Sequence, residues 1–369
     1  MTILTPIQPA TTLADRSAGA VLGAFIGDAL GLGPHWYYDL DELRREFGPW
    51  IDDYTTPKPG RYHEGLKAGQ LSQAGIITEL LLDSILERQG YSPDAFTEKL
   101  DKELFPRLDG IPRHGPGGYT SQSIREAWRK RVVDGRPWGE VAGHADTTEA
   151  AERILVLGAL FATDPAKAAL ASRDNTLLTQ NDTTVAALTT AFGSVIAALV
   201  RGEPLDGDIG QRLSRLVHSG ELPFHHVTEP GSRPPAEGVV EKPTGANFPS
   251  PDALLGVSAA VRAARDSAIA IEPAWKAAIV YGLPCAIYFQ LPTAYYLAGR
   301  FPTQFESAIL HAINGGGQNQ ARAILTGALV GAQVGLQGIP ARFVEGLERG
   351  DILLAKAKQL GQLAAANGT

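Results

Sequence analysis

A chain of 369 residues, 44% of them hydrophobic, can bury a sizeable core in one large domain or two average ones. Its net charge of −7 argues against a nucleic-acid-binding surface. The lone cysteine, Cys285, excludes a disulfide framework and a cysteine-based zinc site, and it fits a cytoplasmic location.

Residues 1–15 have neither a basic flank nor an apolar core. They read as a flexible tail ahead of one helical domain over residues 16–369. Residues 16–31 form the first predicted helix. Gly19, Gly23, Gly27 and Gly31 recur every four residues and leave one face bare, suited to the close approach of another helix backbone. Asp28 lies near the end of this apolar run. A buried carboxylate needs a partner, so it either caps a neighbouring backbone or lines a polar pocket. Residues 34–39, Pro-His-Trp-Tyr-Tyr-Asp, join apolar bodies to polar tips and include His35. A short surface helix (41–47) and a proline-broken loop (51–66) holding Tyr62 and His63 follow. An amphipathic helix then runs to Glu87, with Ser72 as its N-cap.

Helices are predicted at 93–105 and 121–133, around a loop at 106–120. The polar cluster Gly143-His-Ala-Asp-Thr-Thr-Glu149 precedes the apolar run 154–161 and reads as a helix start. Further helices are expected at 164–172 and 183–200, with Thr179-Gln-Asn-Asp182 ahead of the second. Threonines and a serine interrupt residues 183–200, so this apolar window reads as a buried core helix and not as a membrane span. The proline-rich stretch 222–251 reads as a lid, a binding loop or a disordered segment. Its adjacent His225 and His226 would point to opposite sides of an extended chain, a poor metal pair. Helices follow at 253–267, 274–298, 304–312, 321–336 and 343–362, with Pro284 and Pro292 breaking or kinking the second. No strand-like alternation appears, so the expected class is all-α.

Gly315, Gly316 and Gly317 turn the chain at the start of the 321–336 helix. They would expose N–H groups to phosphate or another polar ligand, or else form a buried hairpin with none. Gly327, Gly331 and Gly335 make a second bare stripe, expected to pack on the first, and Gly338 with Pro340 ends the helix. Polar clusters thus stand at four helix starts, around Ser72, Asp146, Gln180 and Gln318. Each alone is a cap; together they suggest one polar pocket.

The segment Gly19-Ala-Val-Leu-Gly-Ala-Phe-Ile-Gly-Asp-Ala-Leu-Gly31 resembles the N-terminal helix of the ADP-ribosylglycohydrolase family. Asn314-Gly-Gly-Gly-Gln-Asn-Gln-Ala-Arg322, with Gly327 to Ala332 and Ile339-Pro340, resembles that family's C-terminal signature. Pro34-His-Trp36 and Gly143-His-Ala-Asp-Thr-Thr-Glu-Ala150 are more similar to its J-crystallin-like branch. The resemblance spans nearly the whole chain. It implies a compact orthogonal multi-helix bundle and cleavage of the bond between ADP-ribose and a protein side chain by two Mg²⁺ ions. In the family the ions are held by a Thr-Asp-Asp motif, which falls here on Ser72, Gln73 and Ala74, and by an Asp-x-Asp-Thr motif, which falls on residues 317–320. No carboxylate stands at either place. Mg²⁺ needs hard oxygens and charge compensation, so neither a metal nor another cofactor is expected. Ser72, Gln73, Gln318, Asn319 and Gln320 offer uncharged donors and acceptors instead, suited to a ribose or a base.

Three functions follow. The first is a metal-independent hydrolase of an N- or O-glycosidic bond in an ADP-ribose-like or other ribosyl compound, with His35, Asp28 and Asp146 as its catalytic groups. Ser72, Gln73, His144, Gln180, Asn181, Gly316, Gly317, Gln318, Asn319, Gln320 and Arg322 would hold the ligand, Arg322 through its charge unless it faces solvent or an ion-pair partner. The second is a pseudoenzyme that binds a nucleotide, ribosyl compound or small polar metabolite without cleaving it. The third is a crystallin-like structural protein. The expected partner is a small ribosyl-containing molecule, with no nucleic acid and no membrane.

Overall fold

In a computed structural model, residues 11–225, 238, 248 and 252–368 are described. The helices of the first half are Leu13–Leu32 (α1), Leu40–Phe47 (α2), Gln73–Arg88 (α3), Pro93–Lys99 (α4), Gln122–Trp128 (α5), Glu149–Leu160 (α6), Pro165–Leu177 (α7) and Thr183–Arg201 (α8). Those of the second half are Ile209–His218 (α9), Asp252–Arg265 (α10), Ala277–Tyr281 (α11), Ile287–Arg300 (α12), Phe305–Ile313 (α13), Asn319–Val334 (α14), Ala341–Glu345 (α15) and Gly350–Ala366 (α16). Among the described residues only isolated β-bridges occur, and the protein is all-α as its periodicity predicts.

The central pair is α1 against α14. A Cβ built on Gly23 would stand 2.2 Å from the Gly327 carbonyl oxygen, and one on Gly19 would stand 2.4 Å from that of Gly331. From the other side, a Cβ on Gly327 would stand 2.1 Å from the oxygen of Gly23. The two bare stripes therefore meet backbone to backbone, and α6, α8 and α16 pack around the pair. The helix α8 is long and apolar enough to span a membrane by length and composition, but most of it is buried among the other helices.

Several boundaries differ from the sequence expectation. The first helix starts at Leu13, capped by the Thr12 hydroxyl, so residues 13–15 are helical and not tail. Pro284 lies in a break between α11 and α12, whereas Pro292 sits inside α12. The last glycine of the second stripe, Gly335, has φ +66° and ends α14 ahead of Gly338. The helix α9 was not anticipated; Gly210 approaches α10 there and donates its N–H to Ser258 Oγ. The proposed lid at 222–251 and His226 lie almost wholly outside the described residues.

Candidate functional site

A cavity of about 210 Å³ opens where three helix starts converge. Ser72 and Gln73 come from α3, Thr147, Glu149 and Glu152 from α6 and the turn before it, and Gln318 and Gln320 from α14. His35, Trp36, His63, Tyr119 and Arg125 complete most of the wall, with Cys285 at its side. The predicted cluster around Gln180 does not line it. Gln180 is fully buried and pins the α6 start: its Oε1 accepts the Ala150 N–H at 2.8 Å, and its Nε2 donates to the carbonyls of Ala145 and Thr147, both at 2.9 Å.

Beneath the α3 start lies Asp28, fully buried. It accepts the Ser72 N–H at 2.8 Å and the Ser72 hydroxyl at 2.5 Å, while Ser72 Oγ in turn accepts the Ala74 N–H. Burial raises the Asp28 carboxyl to about 6 against the pull of these bonds and of the Gly75 N–H. Of the two roles open to it, Asp28 takes the cap. It neutralises the positive end of α3 and leaves the cavity wall to Ser72 and Gln73.

The histidines form a relay. His63 Nδ1 lies 2.6 Å from the Gly117 carbonyl oxygen, an acceptor only, so this nitrogen carries the proton. His63 Nε2 is then free to accept from His35 Nδ1, 2.6 Å away. His35 Nε2 meets the Gln318 side-chain amide at 2.7 Å. Burial, and then the neighbouring His63, hold His35 well below the ordinary histidine value; burial brings His63 down to about 4. A neutral His35 takes the Gln318 NH₂ at this contact and a protonated one takes its oxygen, so the amide's orientation follows the charge on the ring.

The acidic pair comes from one turn of α6. Thr147 donates to Glu149, and Thr148 donates to Glu152 Oε1 at 2.5 Å. Burial raises both carboxyls, and the Glu149 charge adds to the rise at Glu152, which reaches about 8. Three of the lining residues carry a buried polar atom without a partner: Gln73 Oε1, Trp36 Nε1 and Ser121 Oγ.

The remaining expected site residues stand elsewhere. His144 and Asp146 are exposed and outside the lining; Asp146 accepts from the Tyr288 hydroxyl at 2.7 Å. Asn181 is exposed and donates its N–H to the Gly143 carbonyl. Asn319 is buried with its amide toward the Ile313 carbonyl. Arg322 is buried too, and its guanidinium donates to the carbonyls of Ala312 and Gly316 and to Gln290. The glycine turn is likewise consumed by the protein: Gly317 N–H donates to Tyr37 O at 2.7 Å, and Gln318 N–H to Leu283 O at 3.0 Å. Gly316 and Gly317 thus form the buried hairpin and offer no phosphate cradle.

Glu149, Glu152, His63, Tyr119 and Arg125 join the site without having been singled out from the sequence. Glu149 and Glu152 had a usable signal, two acids three residues apart at the head of a helix otherwise apolar enough to be buried. His63 and Tyr119 reach the cavity from irregular loops that carry no periodic signal.

The family's two ions were tested against these residues. Ser72 Oγ donates to Asp28, the Gln318 amide faces His35, and Gln320 Nε2 donates to the Asp28 backbone carbonyl at 3.2 Å. Among the described residues, no group of three or more His, Cys, Asp or Glu side chains is placed to share one ion.

The fold and site together define an all-α protein with a polar, amide-lined cavity at converging helix starts. A sequence profile of the ADP-ribosylglycohydrolase family matches residues 9–369, and the chain belongs to that family. An uncharacterized protein of Archaeoglobus fulgidus is 24% identical over 350 residues, covering 95% of this chain and 97% of its own. A solved structure described as an ADP-ribosylglycohydrolase-related protein complex shares the fold, with a TM-score of 0.60 and 18% identity over 95% of this chain and 99% of that one.

Proposed function

We propose that this protein hydrolyses a glycosidic bond of a ribosyl compound with its own acid and base groups, and not through two Mg²⁺ ions. The observation that carries the reading is the pair Glu149 and Glu152, which face one cavity from one helical turn. Two carboxyl groups whose surroundings drive their proton affinities apart suit the two roles of glycoside hydrolysis. Glu152, raised to about 8, keeps its proton at neutral pH and acts as the acid. Glu149 ionises before it and acts as the base.

As the bond from C1 to the leaving oxygen or nitrogen breaks, the Glu152 proton passes to the leaving atom. The Glu149 carboxylate stabilises the positive charge spread over C1 and the ring oxygen. Water adds to C1 and gives its proton to Glu149, and exchange with solvent returns the proton from Glu149 to Glu152. Gln73 and Gln318, which line the cavity, would hold sugar hydroxyls. The uncharged lining at both family metal-motif positions supports a reaction without the ions, since Mg²⁺ is rarely held without a carboxylate.

The test is release of free sugar from a riboside by purified protein in EDTA. Turnover that persists in chelator and is lost in Glu152→Gln supports the reading; turnover only with added Mg²⁺ overturns it. A second reading, binding without cleavage, draws on the unpartnered Gln73 Oε1. It predicts saturable binding with no sugar release.

A further inference from the structure

The charge around the cavity says which ribosyl compound it can hold. Among its lining residues Arg125 is the one lysine or arginine, and its Nη1 already donates to the Thr120 carbonyl. Several N–H groups at the helix starts are occupied as well. Asp28 sits on the α3 start, and the N–H groups of Gly317 and Gln318 donate to the backbone at the α14 start. A diphosphate, with its two negative charges, would enter beside two acidic side chains and find a single arginine to receive it.

Size points the same way. Pockets for drug-sized ligands span roughly 300–1,000 Å³, whereas this one offers about 210 Å³, room for one sugar ring and a small substituent. Its spare hydrogen-bonding atoms are neutral. Gln73, only 3% exposed, lines the cavity and carries an unpartnered Oε1, and the lining residues Trp36 and Ser121 carry an unpartnered Nε1 and Oγ.

We infer that the cavity takes an uncharged riboside, a ribosyl unit on a neutral leaving group, and excludes the diphosphate of an ADP-ribosyl group. This inference rests on the hydrolytic reading above for its chemistry, but its recognition step can be measured without turnover.

Cys285 lines the cavity and is the only cysteine of the chain, so its alkylation reports occupancy at this place. Burial raises its thiol, and iodoacetamide labelling should therefore be run at mildly alkaline pH. The experiment titrates the full-length protein calorimetrically with 4-nitrophenyl β-D-ribofuranoside and with ADP-ribose, and follows Cys285 labelling and nitrophenolate release in the same samples. The expected result is saturable heat and Cys285 protection by the riboside, with ADP-ribose roughly 100-fold weaker or silent. ADP-ribose that binds as tightly and protects Cys285 overturns the substrate class and leaves the hydrolytic reading standing. Riboside that binds and protects without nitrophenolate release supports the substrate class and removes the hydrolytic reading. Heat and protection from neither ligand overturn the inference. As a second variant, Gln73→Met should weaken riboside binding about tenfold while keeping the fold.

Discussion

The seam between α1 and α14 and the cavity beside its end are built from opposite materials. Along the seam glycine faces glycine, and carbonyl oxygens lie where side chains would otherwise be. The cavity is lined by amides, hydroxyls and carboxyls, and several of its lining residues carry a polar atom without a partner. A close-packed seam tolerates no added atom, whereas a cavity tolerates change at a cost that depends on what then fills it. The difference implies that substitutions in the seam act on stability alone, while those in the cavity divide between stability and ligand.

The largest expected effect is therefore structural. Gly23→Val places a branched side chain where even a Cβ would stand 2.2 Å from the Gly327 carbonyl oxygen. Neither backbone can yield without moving its whole helix. The loss should exceed about 3 kcal/mol, at or above the upper end for overpacked cores, and urea unfolding measures it. Near-normal stability would mean that the two helices are not held backbone to backbone.

The same contrast explains what the sequence made legible. The seam is a periodic feature, four glycines at a spacing of four in one segment and three in the other, and periodicity survives in one dimension. The cavity is not periodic. Its groups come from three helix starts and from loops, and the sequence placed Ser72, Gln73, Gln318 and Gln320 there only through the family likeness. Proximity to a cluster misled for His144 and Asp146, which precede α6 in the chain but turn outward, while Glu149 and Glu152 on the helix itself turn inward. Arg322 shows a further limit: in sequence it is a charge one turn into a helix, and in the fold it ties down the glycine turn.

Next in size is Glu152→Gln. Removing a general acid should lower kcat/KM for a riboside by about 10²–10⁴-fold. In the wild type, activity should fall as pH rises past about 8, where Glu152 loses its proton. Stability carries a matching signature. The folded-state value of Glu152 is raised, so its contribution is fully present below the ordinary glutamate value and is lost as pH climbs through about 8. His63 works in the other direction: its folded value is depressed to about 4, so its contribution is present above the ordinary histidine value and is lost as pH falls toward 4. Thermal midpoints should peak between these limits, and Glu152→Gln should flatten the alkaline side only. An unchanged alkaline slope in the variant would remove Glu152 as the titrating group.

Ser72→Ala stands on the border between the two regions. It deletes the hydroxyl that caps Ala74 and donates to Asp28, for a stability loss of about 1–2 kcal/mol. The Asp28 carboxyl loses a stabilising donor, so its proton affinity should rise further, and the thermal midpoint should then decline over a higher pH range than in the wild type. A loss in stability with no change in its pH profile would show that Ser72 acts on the backbone alone.

The smallest change separates the regions most cleanly. Gln73 gives its Nε2 to Thr120 Oγ1 at 3.0 Å and, at 3.4 Å, to the Pro116 carbonyl, while its Oε1 has no partner. Gln73→Met keeps the length of the side chain, removes the two donated bonds and also removes the stranded acceptor. Those effects oppose one another, since a net hydrogen bond is worth about 0.5–1.5 kcal/mol and an unsatisfied buried acceptor costs a similar amount. Stability should therefore move by less than about 1 kcal/mol. Ligand affinity has no such compensation, because the only acceptor offered at that point is gone. A variant that unfolds at the same urea concentration as the wild type yet binds riboside more weakly would assign Gln73 to the ligand. Equal losses in stability and affinity would assign it to the framework, and the cavity would then differ from the seam only in how loosely it is packed.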